Sequence, residues 1–352
     1  MRIGLKSSLL RIKPSLPGRL FLFSVLMAAA LFLPDSLPAH LASPYEERAL
    51  SVFSLAPPLL QLPEVQISLL FSENTQMRQE ALDITARNVA DYLRPKAQTG
   101  QWQAVAARLP AEEGAGQAAV ALALSCPPEE GILCLLTPGT RGYTLVYAQE
   151  GFLPLEDLRL WPGETGAGSD PSWFLAVTEN HDESLGAYSR VRRFSLWFWS
   201  GEKLAKAFEA NLSWQIAFPR DQSWIGADQQ MEVGGGGERL SLTCRQSYCQ
   251  SGQYSAALLS PADWEQAADL EVLTGLNRSY REEYHYEPEY QFFGLTTGRW
   301  LPEGQSSSLP VLVVRDMSLD LEGPFAAREE YLLKTAEGLL TTAPKTEVTL
   351  PD

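Results

Sequence analysis

The chain predicts a mainly β protein: an antiparallel meander, β-propeller-like or an open array of blades, with one N-terminal amphipathic helix packed on it. Three observations carry that prediction. From about residue 101 to 320, runs such as AAVALALS, ILCLLT, YTLVYAQ, WFLAVT, RFSLWFW, RLSLTC and LPVLVVRD are rich in β-formers and separated by Gly, Pro, Asn, Asp and Ser. The connections are too short for helical crossovers, which selects antiparallel hairpins over βαβ units. Phe194 to Trp199 is apolar or aromatic at every position except Ser195, so both faces of that strand need cover and the sheets must be layered.

Taken in order, residues 1–42 form a targeting segment. Arg2, Lys6, Arg11, Lys13 and Arg19 precede the apolar run from Leu20 to Leu33 with no acidic residue among them. Fourteen residues of helix rise only about 21 Å against a hydrocarbon core of roughly 30 Å, which favours a signal peptide. Counted from Leu16 to Pro34 the segment approaches spanning length, so a retained N-terminal anchor stays open. No Cys directly follows the apolar run, which excludes a lipoprotein anchor. Either outcome predicts an extracytoplasmic body, secreted or anchored to the membrane by residues 16–34.

Residues 43–72 carry Pro44, Pro57, Pro58 and Pro63 and read as a Pro-rich arm. Over 73–95 the period changes to that of a helix. Gln76, Gln79, Glu80, Asp83, Arg87 and Asp91 fall on one arc, and Met77, Ala81, Leu82, Ile84, Val89, Tyr92 and Leu93 lie largely on the other. Ser72 or Asn74 supplies its cap and Pro95 ends it. The β-rich body runs from 96 to 335, interrupted by a helix at 260–273 with Ser260 as cap and Pro261 at the first position. Residues 336–352 are expected as a flexible tail.

Charge narrows the function. With 28 basic and 43 acidic residues the net charge is −15, which repels phosphate backbones and argues against nucleic acid as a partner. Residues 1–42 take five basic residues and one acidic residue with them, leaving a body at −19. Three histidines and four cysteines leave little material for a metal site, and neither metal nor cofactor is expected. The cysteines fall as two close pairs, Cys126 with Cys134 and Cys244 with Cys249. In an oxidising compartment such pairs read as disulfides stapling hairpin ends, although four cysteines allow three connectivities.

No G-x-S-x-G, H-E-x-x-H, P-loop or dinucleotide fingerprint is present, so no residue is assigned a catalytic role. His181 in ENHDES reads as a polar-loop histidine. Between Tyr280 and Tyr290, Glu282, Glu283, Glu287 and Glu289 interleave with tyrosines, near Trp300. Paired carboxylates among aromatic rings are what a glycosidase uses. Adjacent strand residues point to opposite faces, so Glu282 and Glu283 cannot form the pair. Tyr284, Tyr286, Glu287, Glu289 and Trp300 remain as candidate ligand-binding residues, with an aromatic, acidic edge strand as the plainer alternative.

A weak repeat runs through the body. Glu112-Glu113-Gly114-Ala115-Gly116-Gln117 and Glu164-Thr165-Gly166-Ala167-Gly168-Ser169 stand 52 residues apart, each before a buried strand, and Gly234 to Gly237 form a third glycine-rich turn. In these turns the chain resembles the degenerate FG-GAP or VCBS-type repeats of integrin-like propellers, found in many exported bacterial proteins. The resemblance implies a propeller-like body. It does not imply calcium, because Ala115 and Ala167 stand in the loops where that family places chelating aspartates. The expected function is an exported or membrane-tethered, non-catalytic binding or scaffold module of the cell envelope, with an envelope protein or a glycan as ligand and membrane contact only through the N-terminal segment. The alternative is a carbohydrate-active hydrolase with an acidic–aromatic cleft near residues 280–300.

Overall fold

The computed structural model describes residues 50–55, 57–95, 101–110, 118–126, 130–163, 173–185, 187–200, 203–218, 223–251, 278–318 and 329–351. The expected targeting segment, the two expected GAG turns and the expected helix at 260–273 lie outside the described residues.

The first sheet is built from β1 (Ser51–Val52), β2 (Gln61–Leu62), β3 (Gln103–Arg108), β4 (Val120–Cys126), β5 (Glu130–Gly139) and β6 (Gly142–Phe152). Its order is β1-β6-β5-β4-β3, with β2 also pairing with β6, and every pairing is antiparallel. The two-residue period divides its apolar strands between two cores. Val120, Leu122 and Leu124 point to one side, where they are buried with Ile67 of α1 (Glu64–Leu69) and Ala81, Leu82, Ala86 and Val89 of α2 (Thr75–Leu93). Ala121 and Ala123 point to the other side. Helix α2 begins where Asn74 Oδ1 accepts from the backbone N–H groups of Gln76 and Met77, at 3.0 and 3.1 Å. Its far end is held by Arg94, which donates to Glu130 at 2.5 Å and Glu150 at 2.6 Å. The region expected as a Pro-rich arm thus contributes β1, β2 and α1. Its short strands exist because β6 offers them a ladder.

The second sheet is an eight-stranded meander in chain order: β7 (Leu155–Pro162), β8 (Trp173–Leu185), β9 (Ala187–Trp199), β10 (Leu204–Phe218), β11 (Ser223–Gly236), β12 (Arg239–Ser251), β13 (Arg278–Glu287) and β14 (Phe292–Gly294). Leu175, Val177 and Trp197 pack with Ala121, Leu133 and Phe152 of the first sheet. Phe174, Phe194, Leu196 and Phe198 enter an aromatic core on the opposite face. Phe174 on β8 lies 5.3 Å from both Tyr286 on β13 and Phe293 on β14. Rings five and six strands apart in order meet only if the sheet curls strongly about this core. The Gly237 N–H donates to the Pro162 carbonyl at 2.8 Å, bringing the β11–β12 turn onto the end of β7.

The third sheet has the order β18-β17-β16-β15-β19, from β15 (Thr296–Trp300), β16 (Leu309–Asp316), β17 (Glu330–Thr335), β18 (Leu340–Pro344) and β19 (Val348–Thr349). Residues 336–352 were expected as a flexible tail, yet they supply β18, a 3-10 turn at Lys345–Glu347 and β19. Alternation in LTTAP is too short to announce a strand, and pairing with β17 makes it one. The mainly β, antiparallel prediction holds. Among the described residues the strands form sheets of six, eight and five, with no closed ring of blades.

The expected disulfides are corrected by strand register. Cys126 lies opposite Glu130, whereas Cys134 lies opposite Leu122, which separates the two by four residues along the ladder, about 13 Å. Cys244 and Cys249 sit on the same strand, β12, roughly 16 Å apart. A disulfide needs Cα atoms within about 7 Å, and Cys126, Cys134 and Cys244 are unbridged. The hairpin turns do not fall midway between the cysteines, which is what the staple required. ENHDES, expected as a loop, continues β8, where the His181 backbone pairs with Val191.

Candidate functional site

Among the described residues the acidic–aromatic segment turns its tyrosines into side-chain packing and not into a cleft. Strand β13 lies between β12 and β14, so it is an interior strand and not an edge. Its two-residue period turns Tyr280, Glu282, Tyr284 and Tyr286 to one face, and that face is the aromatic core. Tyr284 is 2 % exposed with its ring 5.0 Å from Phe208, and Tyr286 is 6 % exposed against Phe174 and Phe293. Neither ring has a face left for a sugar. Glu287 ends β13, Glu289 is exposed in the turn that follows, and Tyr290 is buried in a separate cluster with Phe292 and Leu312. Trp300 belongs to the third sheet, where its indole N–H donates to Glu347 at 3.1 Å. The five candidate ligand residues are therefore dispersed over a core, a turn and another sheet.

Sequence reasoning missed a buried polar system beside them. The Tyr284 hydroxyl donates to Glu282 at 2.8 Å, and burial pushes the Glu282 carboxyl above its ordinary range against the opposing pull of Arg315. Across the meander, Glu179 accepts from the Leu153 N–H at 2.8 Å and is likewise raised by burial, with Arg193 opposing. Burial also pushes on Glu209, but Lys206, at 2.5 Å, and Arg193 outweigh it and hold its carboxyl low. Arg315 of β16 donates to the Glu209 carbonyl at 3.1 Å, tying the third sheet to the second. These groups neutralise one another inside the packing, and the alternating pattern of β13 was the one signal that Glu282 faces inward.

A polar cleft of about 650 Å³ opens elsewhere, between α2, β3 and the start of β7. Gln79, Asp83 and Arg87 line it from the helix; all are exposed and spaced at i, i+4 and i+8, so they share one stripe. Gln101, Trp102 and Gln103 line it from the approach to β3, and Glu156 from β7. Two of its groups are already oriented. The Gln79 amide donates to Asp83 at 2.8 Å, and Arg192 donates to both oxygens of Glu156 at 2.8 and 3.4 Å. Trp102 is half-buried, with its ring set against the helix–sheet core. The polar arc of α2 was legible in the sequence. Its meeting with Trp102 and Glu156 depends on three distant segments and had no local signal. A smaller cavity of about 250 Å³ lies beside α1, where the Arg108 guanidinium stands 4.4 Å over the Phe71 ring.

Among the described residues no group of three or more His, Cys, Asp and Glu side chains is placed to hold a metal ion. No helix among them is long and apolar enough to cross a membrane. No family model, curated protein or solved structure matches this chain.

Proposed function

We propose that the chain is an exported or membrane-tethered binding or scaffold module of the cell envelope, acting without catalysis. The observation that carries this reading is the orientation of β13. The segment richest in carboxylates and rings directs Tyr284, Tyr286 and Glu282 into the core, while the polar cleft at α2 and β3 is lined by amides and balanced charges. The basic and apolar residues of 1–42 support export, and the acidic body suits a soluble exterior location. In this reading the three sheets stand as blade-like layers of an open array, with α2 covering one face of the first. The resemblance to FG-GAP or VCBS-type repeats fits such an array.

The test is turnover. Purified full-length protein, incubated with a panel of fluorogenic glycosides, is expected to release fluorophore at the rate of buffer alone. Hydrolysis that Glu287→Gln or Glu289→Gln abolishes would overturn the proposal in favour of a carbohydrate-active hydrolase.

A further inference from the structure

We infer that the cleft between α2, β3 and β7 is a binding site for a neutral oligosaccharide. The inference deepens the binding-module proposal and rests on it. The cleft's volume of about 650 Å³ is within the range of roughly 300–1,000 Å³ typical of small-molecule sites. Its chemistry then selects among small molecules. Gln79, Gln101 and Gln103 place three side-chain amides around it, each with a donor and an acceptor end. Vicinal hydroxyls, which donate and accept at once, are the complement of such a lining.

The charges point the same way. Asp83 and Glu156 are matched by Arg87 in the lining and by Arg192, which holds Glu156. Among the described residues the site therefore carries no net formal charge with which to draw in a phosphate or a polyanion. Trp102 is the one aromatic residue among the described residues of the lining, and its indole packs against the core. A half-buried tryptophan offers a flat apolar surface with a polar N–H, which suits the C–H face of a pyranose ring flanked by hydroxyls. The held geometry of Gln79 on Asp83 and of Glu156 on Arg192 lowers the ordering cost of binding.

The experiment is calorimetric titration of the full-length protein with chitotetraose, cellotetraose and maltotetraose. Saturable binding to at least one of them is expected, weakened about tenfold or more by Trp102→Ala, the factor that a lost aromatic contact of about 1.4 kcal/mol produces. Because Trp102 also packs on the core, Gln103→Ala and Arg87→Ala, at exposed positions, provide independent tests, each weakening binding severalfold with an unchanged melting temperature. Trp300→Phe is expected to leave binding unchanged. Absence of heat with all three saccharides at millimolar concentration, or affinity that none of the cleft variants alters, overturns the site and leaves the binding-module proposal to its own test. Shortening of a saccharide that binds through the cleft overturns the non-catalytic reading while sustaining the site.

Discussion

At the scale of single residues, burial decides chemistry that the sequence left ambiguous. Glu282 looked equivalent to Glu283, its neighbour. In the structure Glu283 pairs with Arg281 at the surface, at 3.1 Å, while Glu282 is 7 % exposed under the Tyr284 hydroxyl. Alternation makes the opposite facing legible: Tyr280, Tyr284 and Tyr286 share the face of Glu282, while Arg281, Glu283 and His285 share the other, but the rings that bury the first face come from distant strands. Burial, the largest influence, raises the folded-state pKa of Glu282 above its unfolded value. The folded state then binds its proton more tightly. Its contribution is fully present below the ordinary carboxylate value and is lost as pH rises through the raised one. Glu282→Gln keeps an oxygen for Tyr284 and cannot ionise. Its melting temperature relative to the unsubstituted protein is expected to increase between about pH 4 and about pH 8. Thermal melts of the two proteins across that range check this; a difference independent of pH contradicts it.

At the scale of elements, what the sequence announced locally is present and what depended on a partner was hidden. The polar arc, Asn74 and Pro95 delimit α2 almost to the residue, since a cap and a breaker act within one turn. Apolar runs likewise mark β4, β5 and β9. Strand β8 runs on through ENHDES because ladder hydrogen bonds require a neighbouring strand and not apolar side chains. The same dependence on register removes the disulfides: a spacing that reads as a staple becomes a separation of several residues along the ladder or along one strand. Denatured, unreduced protein is therefore expected to titrate with at least three thiols, for Cys126, Cys134 and Cys244, and reductant is expected to leave the melting temperature unchanged. Fewer than three thiols with a Thiol-specific reagent, or a melting point lowered by reductant, would restore a bridge that contributes about 2–4 kcal/mol.

At the scale of the whole molecule, the three sheets are not equally joined. The first and second share one buried cluster in which Ala121, Leu133 and Phe152 interleave with Leu175, Val177 and Trp197. The third meets the second through a smaller one, Tyr290 and Phe292 against Leu312 and Val314, helped by the bond from Arg315 to the Glu209 carbonyl. Gly294 lies at this joint. A Cβ there would sit 2.5 Å from Leu312 Cγ, so β14 approaches β16 only because the side chain is absent. Gly294→Ala forces Leu312 out of a packed site, and overpacking of this kind costs about 1–3 kcal/mol. A smaller shared core means that the cost falls first on docking of the third sheet. Hydrogen exchange of Gly294→Ala is expected to show faster exchange in β15 to β19, with α2, β4 and β5 as protected as before. Uniform loss of protection across all three sheets would instead make the molecule one cooperative unit. The saccharide titration supplies the functional counterpart. The cleft is built from α2, β3 and β7, none of which contributes to the joint cluster, so a protein loosened at Gly294 should still bind at Trp102 with its affinity intact.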